Sequence, residues 1–423
     1  MINKIKNNPF AKNSLILFIG TMVNNVLNYV FHLVVGRMVS VSVYGETESL
    51  ISLMTITAVP AAALVLVITK YAAESKAHDD KKRSYELLRY FNKKIASYGI
   101  VVFFAALAFT PQISRFMNLD SNIPLAIVWC SMLLSLFSAG TSGMLNGWQL
   151  FKATGWSLIG GGGLKLISAL AFIALGFGVN GLMFSFFLSA VATYVIALFS
   201  LRFIFKEGGY KGSHHMSSLD FGPVKNTVMT FLLGNLAITV LGNVDMVIAK
   251  HNLTDFEAGQ YGALTIISKI IFFATGVMST VLFSMSAENN HKKGDTGKLF
   301  RNAFYLVFGV SSFSAAAYFL APRLILSILF GSKYNAVSSY LGWFAIMVAL
   351  FSLVNLTFQY LLSLHRVKVV YGLMTVAVAS SAAILFLGHS ISAILIISSL
   401  SQVLALAVSL PFVFKSMKEK KPA

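Results

Sequence analysis

Charged residues are scarce in this chain, at 11% of the sequence against roughly 25% in an ordinary soluble domain. Acidic residues are the rarest of them, with 15 Asp and Glu against 33 Lys and Arg. Hydrophobic residues make up 57% of the chain. A surface built from this composition cannot be mostly wet, which excludes a soluble globular domain.

Cysteine is nearly absent too. The single Cys130 excludes an intrachain disulfide, and neither a redox motif nor a metal-ligand spacing is present. The sequence also lacks a nucleotide-phosphate loop and any meaningful Ser, His and Asp order, and His214-His215 lies in a polar linker. We therefore predict no catalytic residue, no metal, no cofactor and no ATP-driven pumping.

Long apolar runs are abundant, each enough to cross a hydrocarbon core of about 30 Å as a helix. The first run has no small-residue cleavage pattern after it and is therefore predicted to remain as a span. Alternating short segments, typical of membrane strands, are missing. The predicted class is all-α and polytopic, with spans at 14–36, 49–69, 95–112, 123–147, 156–177, 180–201, 224–249, 261–287, 303–321, 337–363, 369–387 and 390–414.

The basic residues test this count. Twelve spans place 26 of the 33 Lys and Arg on one side of the membrane, including both termini, and only five on the other. By the positive-inside rule the crowded side is cytoplasmic. The net charge of +18 is thus explained by orientation in the cytoplasmic membrane and by attraction to anionic lipids, and no nucleic-acid partner is needed. Residues 70–94 suit either a short amphipathic helix on the membrane surface or a solvated loop.

The polar linker 206–220 divides the chain into two predicted six-helix lobes, 1–205 and 221–423. The halves echo one another: Pro111 and Pro322 follow the third and ninth spans, and the fourth and tenth spans both run into a short basic link. Because each half has an even number of spans, the repeat is parallel, with a pseudo-twofold axis along the membrane normal. Two such lobes can enclose a central cavity and rock in alternating access.

Two segments resemble a known family. They are Gly36-Arg37-Met38-Val39, followed after four residues by Tyr44-Gly45, and Asn243-Val244-Asp245-Met246-Val247-Ile248-Ala249, followed by Gly259-Gln260-Tyr261-Gly262. Both are similar to motifs of the polysaccharide flippases in the multidrug/oligosaccharidyl-lipid/polysaccharide exporter superfamily. The resemblance implies that superfamily's fold and translocation of lipid-linked oligosaccharides. Lipid II flippases of the same superfamily are expected to have two more spans, which disfavours a peptidoglycan precursor.

Ionisable residues at membrane depth usually face a cavity or a partner. Lys165 and Lys269 are candidate substrate contacts, with a structural pairing to Asp245 as the alternative. Asp245 is a candidate for a coupling-ion site or for a structural pair with Lys269, and the sequence does not separate the two. Arg37, at the outer end of its span, suits a lipid headgroup contact or a bidentate phosphate clamp.

Polar and flexible positions complete the candidates. Asn25, Asn28 and His32 form one stripe on the first helix, which suits sugar hydroxyls or helix–helix contact. Gly160, Gly161, Gly162 and Gly163 are predicted to be incompatible with a rigid helix, and with Pro60 to supply a hinge or a close helix contact.

The predicted function is a flippase for a polyprenyl-(pyro)phosphate-linked oligosaccharide, with H+ or Na+ as a candidate coupling ion. A polysaccharide polymerase and glycosyltransferases are candidate partners, together with membrane lipids. A multidrug cation antiporter is disfavoured because the first six spans contain no Asp or Glu in their middles. A membrane-embedded polymerase or ligase is disfavoured because no large outer loop exists, and a scaffold or channel because of the two-lobe repeat.

Overall fold

The computed structural model describes residues 9–207, 222–291 and 295–418. Throughout these ranges the regular elements are helices, and no strand occurs. Twelve helices are long and apolar enough to cross a membrane. Helices are expected there because the bilayer core offers no water to pair with backbone N–H and C=O groups. The predicted all-α class and the count of twelve spans are confirmed, and the chain is a multi-pass membrane protein.

The chain forms two compact units, and the first comprises residues 1–39 and 57–229. In this unit α8 (Phe151–Ala174) packs on α1 (Pro9–Met38) and α9 (Gly178–Ser200). Helix α7 (Ile123–Gly147) packs on α3 (Val59–Ala77) and on α9. A buried cluster that includes Leu87, Leu88 and Trp148 joins α4 to the bundle. Its helices are α1 (Pro9–Met38), α3 (Val59–Ala77), α4 (Lys81–Lys94), α5 (Ile100–Ala108), α6 (Thr110–Phe116), α7 (Ile123–Gly147), α8 (Phe151–Ala174), α9 (Gly178–Ser200) and α10 (Arg202–Glu207), with a π-helical turn at Ile95–Gly99.

The second unit comprises residues 40–56 and 230–423. Its central helix is α15, which packs against α12, α13 and α17 and is 78% buried over its most apolar window. The helices are α2 (Val41–Thr57), most of α11 (Gly222–Asn252), α12 (Asp255–His291), α13 (Thr296–Leu320), α14 (Pro322–Leu329), α15 (Leu341–Ser363), α16 (Lys368–Leu387) and α17 (Ile391–Lys418), with a 3-10 segment at Ser332–Tyr340.

The second span is broken at Ala58, between α2 and α3, and Pro60 stands in the first turn of α3. Pro is tolerated there because the first amides of a helix have no intrahelical partner. The α2 half packs in the second unit, where the Tyr44 ring meets the Phe330 ring edge-on at 5.3 Å. The structure therefore differs from the predicted 1–205 boundary, since residues 40–56 belong to the second compact unit.

Of the two alternatives for the glycine run 160–163, a hinge and a close helix contact, the structure does not show a break at a hinge, because α8 is continuous through it. The run instead permits close packing. A Cβ at Gly161 would lie 2.1 Å from Thr193 Oγ1, and one at Gly162 would lie 2.8 Å from Asn24 Oδ1. Tertiary packing outweighs the low helix propensity of glycine here.

The repeat predicted from sequence has structural counterparts in each unit. Pro111 and Pro322 each stand in the first turn of a short helix, of 7 and 8 residues, that follows the third and ninth spans. The fourth and tenth spans each end in a link with one non-glycine residue at positive φ, Gln149 at 58° and His365 at 56°. Such backbone angles are uncommon outside glycine, so their recurrence at matching places supports an internal repeat.

Residues 81–94 form the amphipathic helix α4, so of the two alternatives, an amphipathic helix and a solvated loop, this part of the segment has the helix. Its apolar residues do not lie on lipid, however. Leu87 and Leu88 are 1% exposed and pack against the core of the first unit, and Trp148 Nε1 donates to Ser84 Oγ at 3.0 Å. The basic residues of α4 remain on its outer side.

Candidate substrate and ion sites

In the first unit, Lys165 lies deep in α8 and is 4% exposed. Its ammonium donates a hydrogen bond to Asn28 Oδ1 on α1. The same nitrogen lies 4.7 Å from the ring centroid of Phe31 and 4.5 Å from that of Phe186 on α9. An ammonium over aromatic faces is attracted by their quadrupoles, and the attraction grows when water is excluded.

The three helices that enclose Lys165 contain neither Asp nor Glu, as their sequences show. The Asn28 amide and the rings of Phe31 and Phe186 contact the positive charge. Residues 160–163 make this enclosure possible, because α8 approaches both α1 and α9 through them. The result is a buried cationic centre in the first unit.

The polar stripe of α1 is only partly gathered around this centre. Asn28 contacts Lys165, and the His32 ring lies edge-on to Phe31 with centroids 5.4 Å apart. Asn25 is exposed on the same helix. Arg37 is exposed in the last turn of α1, about 13 Å further along the helix axis than Asn28 at 1.5 Å per residue. The structure thus joins Lys165 to Asn28 but does not bring Arg37 to them.

In the second unit, Asp245 is 4% exposed, and its Oδ2 accepts a hydrogen bond from the Tyr261 hydroxyl at 2.7 Å. Lys269 Nζ donates instead to Asn243 Oδ1 at 3.0 Å. The predicted direct pair of Asp245 with Lys269 is therefore not formed. Asn243 is the closer, neutral partner of Lys269, and Tyr261 is that of Asp245. Asp245 and Glu48 still act on Lys269 electrostatically.

Asp245 and Lys269 nevertheless share a cavity of about 20 Å³ between α11, α12, α15 and α17. A cavity of this size admits one water molecule or one small ion. Two acceptor oxygens of its lining residues have no hydrogen-bond partner within the described part of the chain, Asp245 Oδ1 and Gln402 Oε1, and the Thr265 and Ser398 hydroxyls lie within reach of the Tyr261 hydroxyl. Buried oxygens without donors are costly. One carboxylate, one amide carbonyl and two hydroxyls suit a hard cation or a water.

The side chain of Gln402 is held in place beside the cavity. Its Nε2 donates to the Leu241 carbonyl at 3.0 Å, and the side chain is 2% exposed, so its Oε1 is fixed near the cavity. The sequence analysis missed Thr265 and Ser398. A signal existed for one of them, because Tyr261, Thr265 and Lys269 follow one another at four-residue spacing and share a face of α12.

The sequence analysis also missed two buried acids. Glu46 and Glu48 are 7% and 3% exposed in α2, before the predicted start of the second span. Because the helical span begins at Val41, both acids lie near its start and outside its middle, the region to which the sequence expectation referred. Lys250, counted with the outer charges, is 1% exposed and pairs with Asp255.

Within the described ranges, no group of three or more His, Cys, Asp or Glu could hold a metal ion.

Solved structures share this architecture. The chain is similar to a multidrug resistance transporter of the MATE family in the MOP superfamily, in an inward-facing conformation, with a TM-score of 0.76 at 14% identity, covering 97% of this chain and 100% of the other. It is similar to the lipid II flippase MurJ in an inward closed conformation, with a TM-score of 0.68 at 14% identity, covering 95% and 87%.

A MOP-superfamily transporter from Pyrococcus furiosus, whose title describes a binding pocket of reversed polarity, matches with a TM-score of 0.59 at 12% identity, covering 99% of this chain and 98% of the other. Among curated proteins, none matches. The fold is therefore the two-lobe fold of MOP-superfamily transporters. Residues 10–289 match the family described as polysaccharide biosynthesis protein, and the chain belongs to this family.

Proposed function

We propose that the protein is a flippase that moves a polyprenyl-(pyro)phosphate-linked oligosaccharide across the cytoplasmic membrane by alternating access. The observation that carries the proposal is the buried Lys165, held on helices without acidic residues in a chain of the polysaccharide biosynthesis family. A cation buried at membrane depth favours an anionic cargo, because ionisable residues within spans commonly mark the path of a substrate or ion.

The headgroup of such a lipid carries phosphate and many hydroxyls. Lys165 and Lys269 would contact the phosphate as point charges, and Arg37 would contact it through its planar guanidinium where the headgroup reaches the outer end of α1. Asn25, Asn28 and His32 would contact sugar hydroxyls. Asn28 would then exchange its bond with the Lys165 ammonium for one with the cargo, since amides both donate and accept.

A coupling cation would occupy the cavity at Asp245. The partnerless oxygens of Asp245 and Gln402 support Na+ as the ion, and protonation of Asp245 is the alternative. Lys269, which lines the same cavity, would compete for the carboxylate when the ion leaves, because like charges cannot share so small a space at low cost. Pro60, where the second span is broken, remains the proposed hinge.

The positive-inside distribution supports a position in the cytoplasmic membrane with both termini inside. In that orientation the cargo would be made by glycosyltransferases on the cytoplasmic face and consumed by a polymerase on the other. The protein itself would carry out transport rather than a bond-making reaction, as its transporter fold supports.

A multidrug cation antiporter is the second candidate, favoured by the buried Glu46 and Glu48 in α2. Buried carboxylates suit cationic drugs. The two candidates differ in the sign of the cargo, so an ethidium efflux assay on cells that overproduce the protein separates them. Efflux above that of an Asp245→Asn variant would favour the antiporter.

The proposal is tested in the cell that produces the surface polymer. Deletion of the gene should remove the polymer and leave its lipid-linked repeat unit on the inner face. Restoring the gene with Lys165→Ala and Lys269→Ala should leave the polymer absent, although the protein reaches the membrane at the normal level.

The matched control carries Lys93→Ala and Lys298→Ala, one exposed lysine from each unit and the same loss of charge. It should make normal polymer. Normal polymer from the Lys165 and Lys269 variant would contradict the cationic contacts. A gene deletion that leaves surface polymer intact would contradict the flippase itself.

A further inference from the structure

A polar stripe on α11 has no role in the function proposed above. It consists of Asn235, Thr239 and Asn243, which follow one another at four-residue spacing and are half-buried in the second unit. Residues at this spacing share one face of a helix, and the stripe covers about 12 Å of the helix axis at 1.5 Å per residue. It lies within the 25-residue span Val228–Asn252, at a depth where polar side chains are costly and commonly mark the path of a substrate or ion.

Close packing on a neighbouring face of α11 positions the stripe. A Cβ at Gly234 would lie 2.6 Å from the Phe358 ring of α15. One at Gly242 would lie 2.5 Å from the Phe351 ring of the same helix, so α15 is pressed against the face that the two glycines share. Each end of the stripe comes one residue after one of these glycines, which turns it about 100° around the helix axis. The stripe therefore lies beside the contact with α15 rather than inside it.

The two asparagines of the stripe are oriented by their own helix. Asn235 Nδ2 donates to the Phe231 carbonyl at 2.8 Å, and Asn243 Nδ2 donates to the Thr239 carbonyl at 2.9 Å. An amide has two donor hydrogens and an acceptor oxygen, so each of these bonds leaves capacity for a further partner. A polar side chain that serves only to join helices bonds to a neighbouring helix, whereas the Asn235 bond stays within α11.

The polar stripe of α1 in the first unit is the natural comparison. There Asn28 Oδ1 accepts a hydrogen bond from the Lys165 ammonium. On α11, Asn243 Oδ1 accepts one from the Lys269 ammonium at 3.0 Å. Each stripe lies on the helix that opens its six-span half of the chain, and one asparagine of each holds a lysine at membrane depth. Because the halves repeat one another, the contact proposed for the α1 stripe is expected of the α11 stripe as well.

The chemistry of the stripe suits sugar hydroxyls better than an ion. Its amides and its hydroxyl both donate and accept hydrogen bonds, as sugar hydroxyls do, whereas a hard cation uses acceptor oxygens alone. No residue of α11 between Asn235 and Asn243 is charged, so this length of helix offers an anion no cation of its own. The nearest cation is the Lys269 ammonium at one end of the stripe.

We propose that Asn235, Thr239 and Asn243 form a second face for the sugar hydroxyls of the cargo, in addition to the stripe of α1. This inference rests on the proposed function. The phosphate would lie at Lys269, and the sugars attached to it would extend along α11 toward Asn235. Asn243 would exchange its bond with the Lys269 ammonium for one with the first sugar, since its Oδ1 accepts from either donor.

The test measures binding to the purified full chain in mild detergent by native mass spectrometry. The probes are the polyprenyl-(pyro)phosphate lipid extracted from the producing cell, with its whole oligosaccharide or trimmed to its first sugar. The double variant Asn235→Leu with Thr239→Val should weaken binding of the whole lipid about tenfold, by the loss of two hydrogen bonds, and that of the trimmed lipid less than about twofold. The control, Thr375→Val, removes a hydroxyl from an exposed position on α16 and should alter neither.

Equal weakening of the two lipids in the double variant would overturn the proposal, since the stripe would then not distinguish sugars. In proteoliposomes the double variant should keep its stimulation by a Na+ or proton gradient. Loss of the stimulation with unchanged lipid binding would assign the stripe to the path of the coupling ion. Wild type that binds neither lipid would contradict the proposed flippase itself. If wild type and the double variant bind both lipids equally well, only the second sugar face is contradicted.

Discussion

The two units bury their charges in different ways. In the first unit, Lys165 lies between a pair of aromatic rings and an amide, on helices that carry no acid. In the second, Asp245 and Lys269 line one small cavity, and each has its own neutral partner. The difference teaches that a repeated fold need not repeat its electrostatics. We propose that the first unit attracts an anion and that the second holds and releases a cation.

The largest expected effect on stability comes from Asp245→Ala. This substitution leaves the Tyr261 hydroxyl without its acceptor and the nearby Lys269 without its carboxylate, at a cost of about 3 kcal/mol in the free energy of unfolding. Lys165→Met, which places an apolar chain of similar length between two rings, should cost about 1 kcal/mol. Denaturant titration in mixed micelles measures both. Equal costs would remove the contrast between the units.

Alanine substitutions at two nearby glycines test how close helix packing encloses Lys165. Gly161→Ala should cost about 2 kcal/mol, because its Cβ would meet Thr193 Oγ1 at 2.1 Å and the Ser189 carbonyl at 3.1 Å. Gly163→Ala meets nothing within 4 Å and should be neutral or stabilising by up to about 1 kcal/mol. The same titration tests them. Loss of transport from Gly163→Ala, with stability intact, would restore the hinge interpretation of the run.

A smaller effect is expected from Tyr261→Phe, which deletes only the hydroxyl that donates to Asp245 at 2.7 Å. The cost should be about 1.5 kcal/mol, typical of a hydrogen bond to a charged group. Tyr318→Phe is the control, because its hydroxyl donates to a neutral carbonyl, that of Ile267, at 2.9 Å. A smaller loss from Tyr261→Phe than from Tyr318→Phe would argue against a charged Asp245.

The smallest effect is expected from Phe186→Leu, which keeps an apolar side chain but removes one of the two ring faces near Lys165. The expected cost is about 1 kcal/mol. In a Lys165→Met background the same change should cost less, because the cation is gone. A double-mutant cycle gives this difference, and a coupling of zero would show that the rings contribute only apolar packing.

Much of the fold could be predicted from sequence, because apolar runs and the side on which Lys and Arg fall are local signals. Pro60 indicated a hinge near Ala58, but the place of α2 in the second unit could not be predicted, since it depends on Tyr44 meeting Phe330 and Tyr334. The choice between a hinge and a close contact at the glycine run could not be made from sequence, because helix propensity is local, whereas the contacts with Asn24 and Thr193 are tertiary.

The charged residues of the candidate sites were predicted from the sequence, but their hydrogen-bond partners were not. Lys165, Lys269 and Asp245 stand out in any apolar sequence, and each is in fact buried or partly buried in its unit. Which partner each would take could not be read from spacing, because Asn243 and Tyr261 compete with the opposite charge. Glu46 and Glu48 were missed because the start of a span is the least certain part of a hydropathy pattern.

The proposed assignment of anion binding to the first unit and cation binding to the second is tested most directly by the initial rate of flipping in proteoliposomes. The rate is measured against the concentration of lipid-linked oligosaccharide, with and without a Na+ or proton gradient. Lys165→Met should raise KM about tenfold, by the loss of about 1.4 kcal/mol of anion binding, and keep the stimulation by the gradient. Asp245→Asn should abolish the stimulation and keep KM. If both variants change the same parameter, or if neither changes any, the two units do not divide anion and cation binding between them.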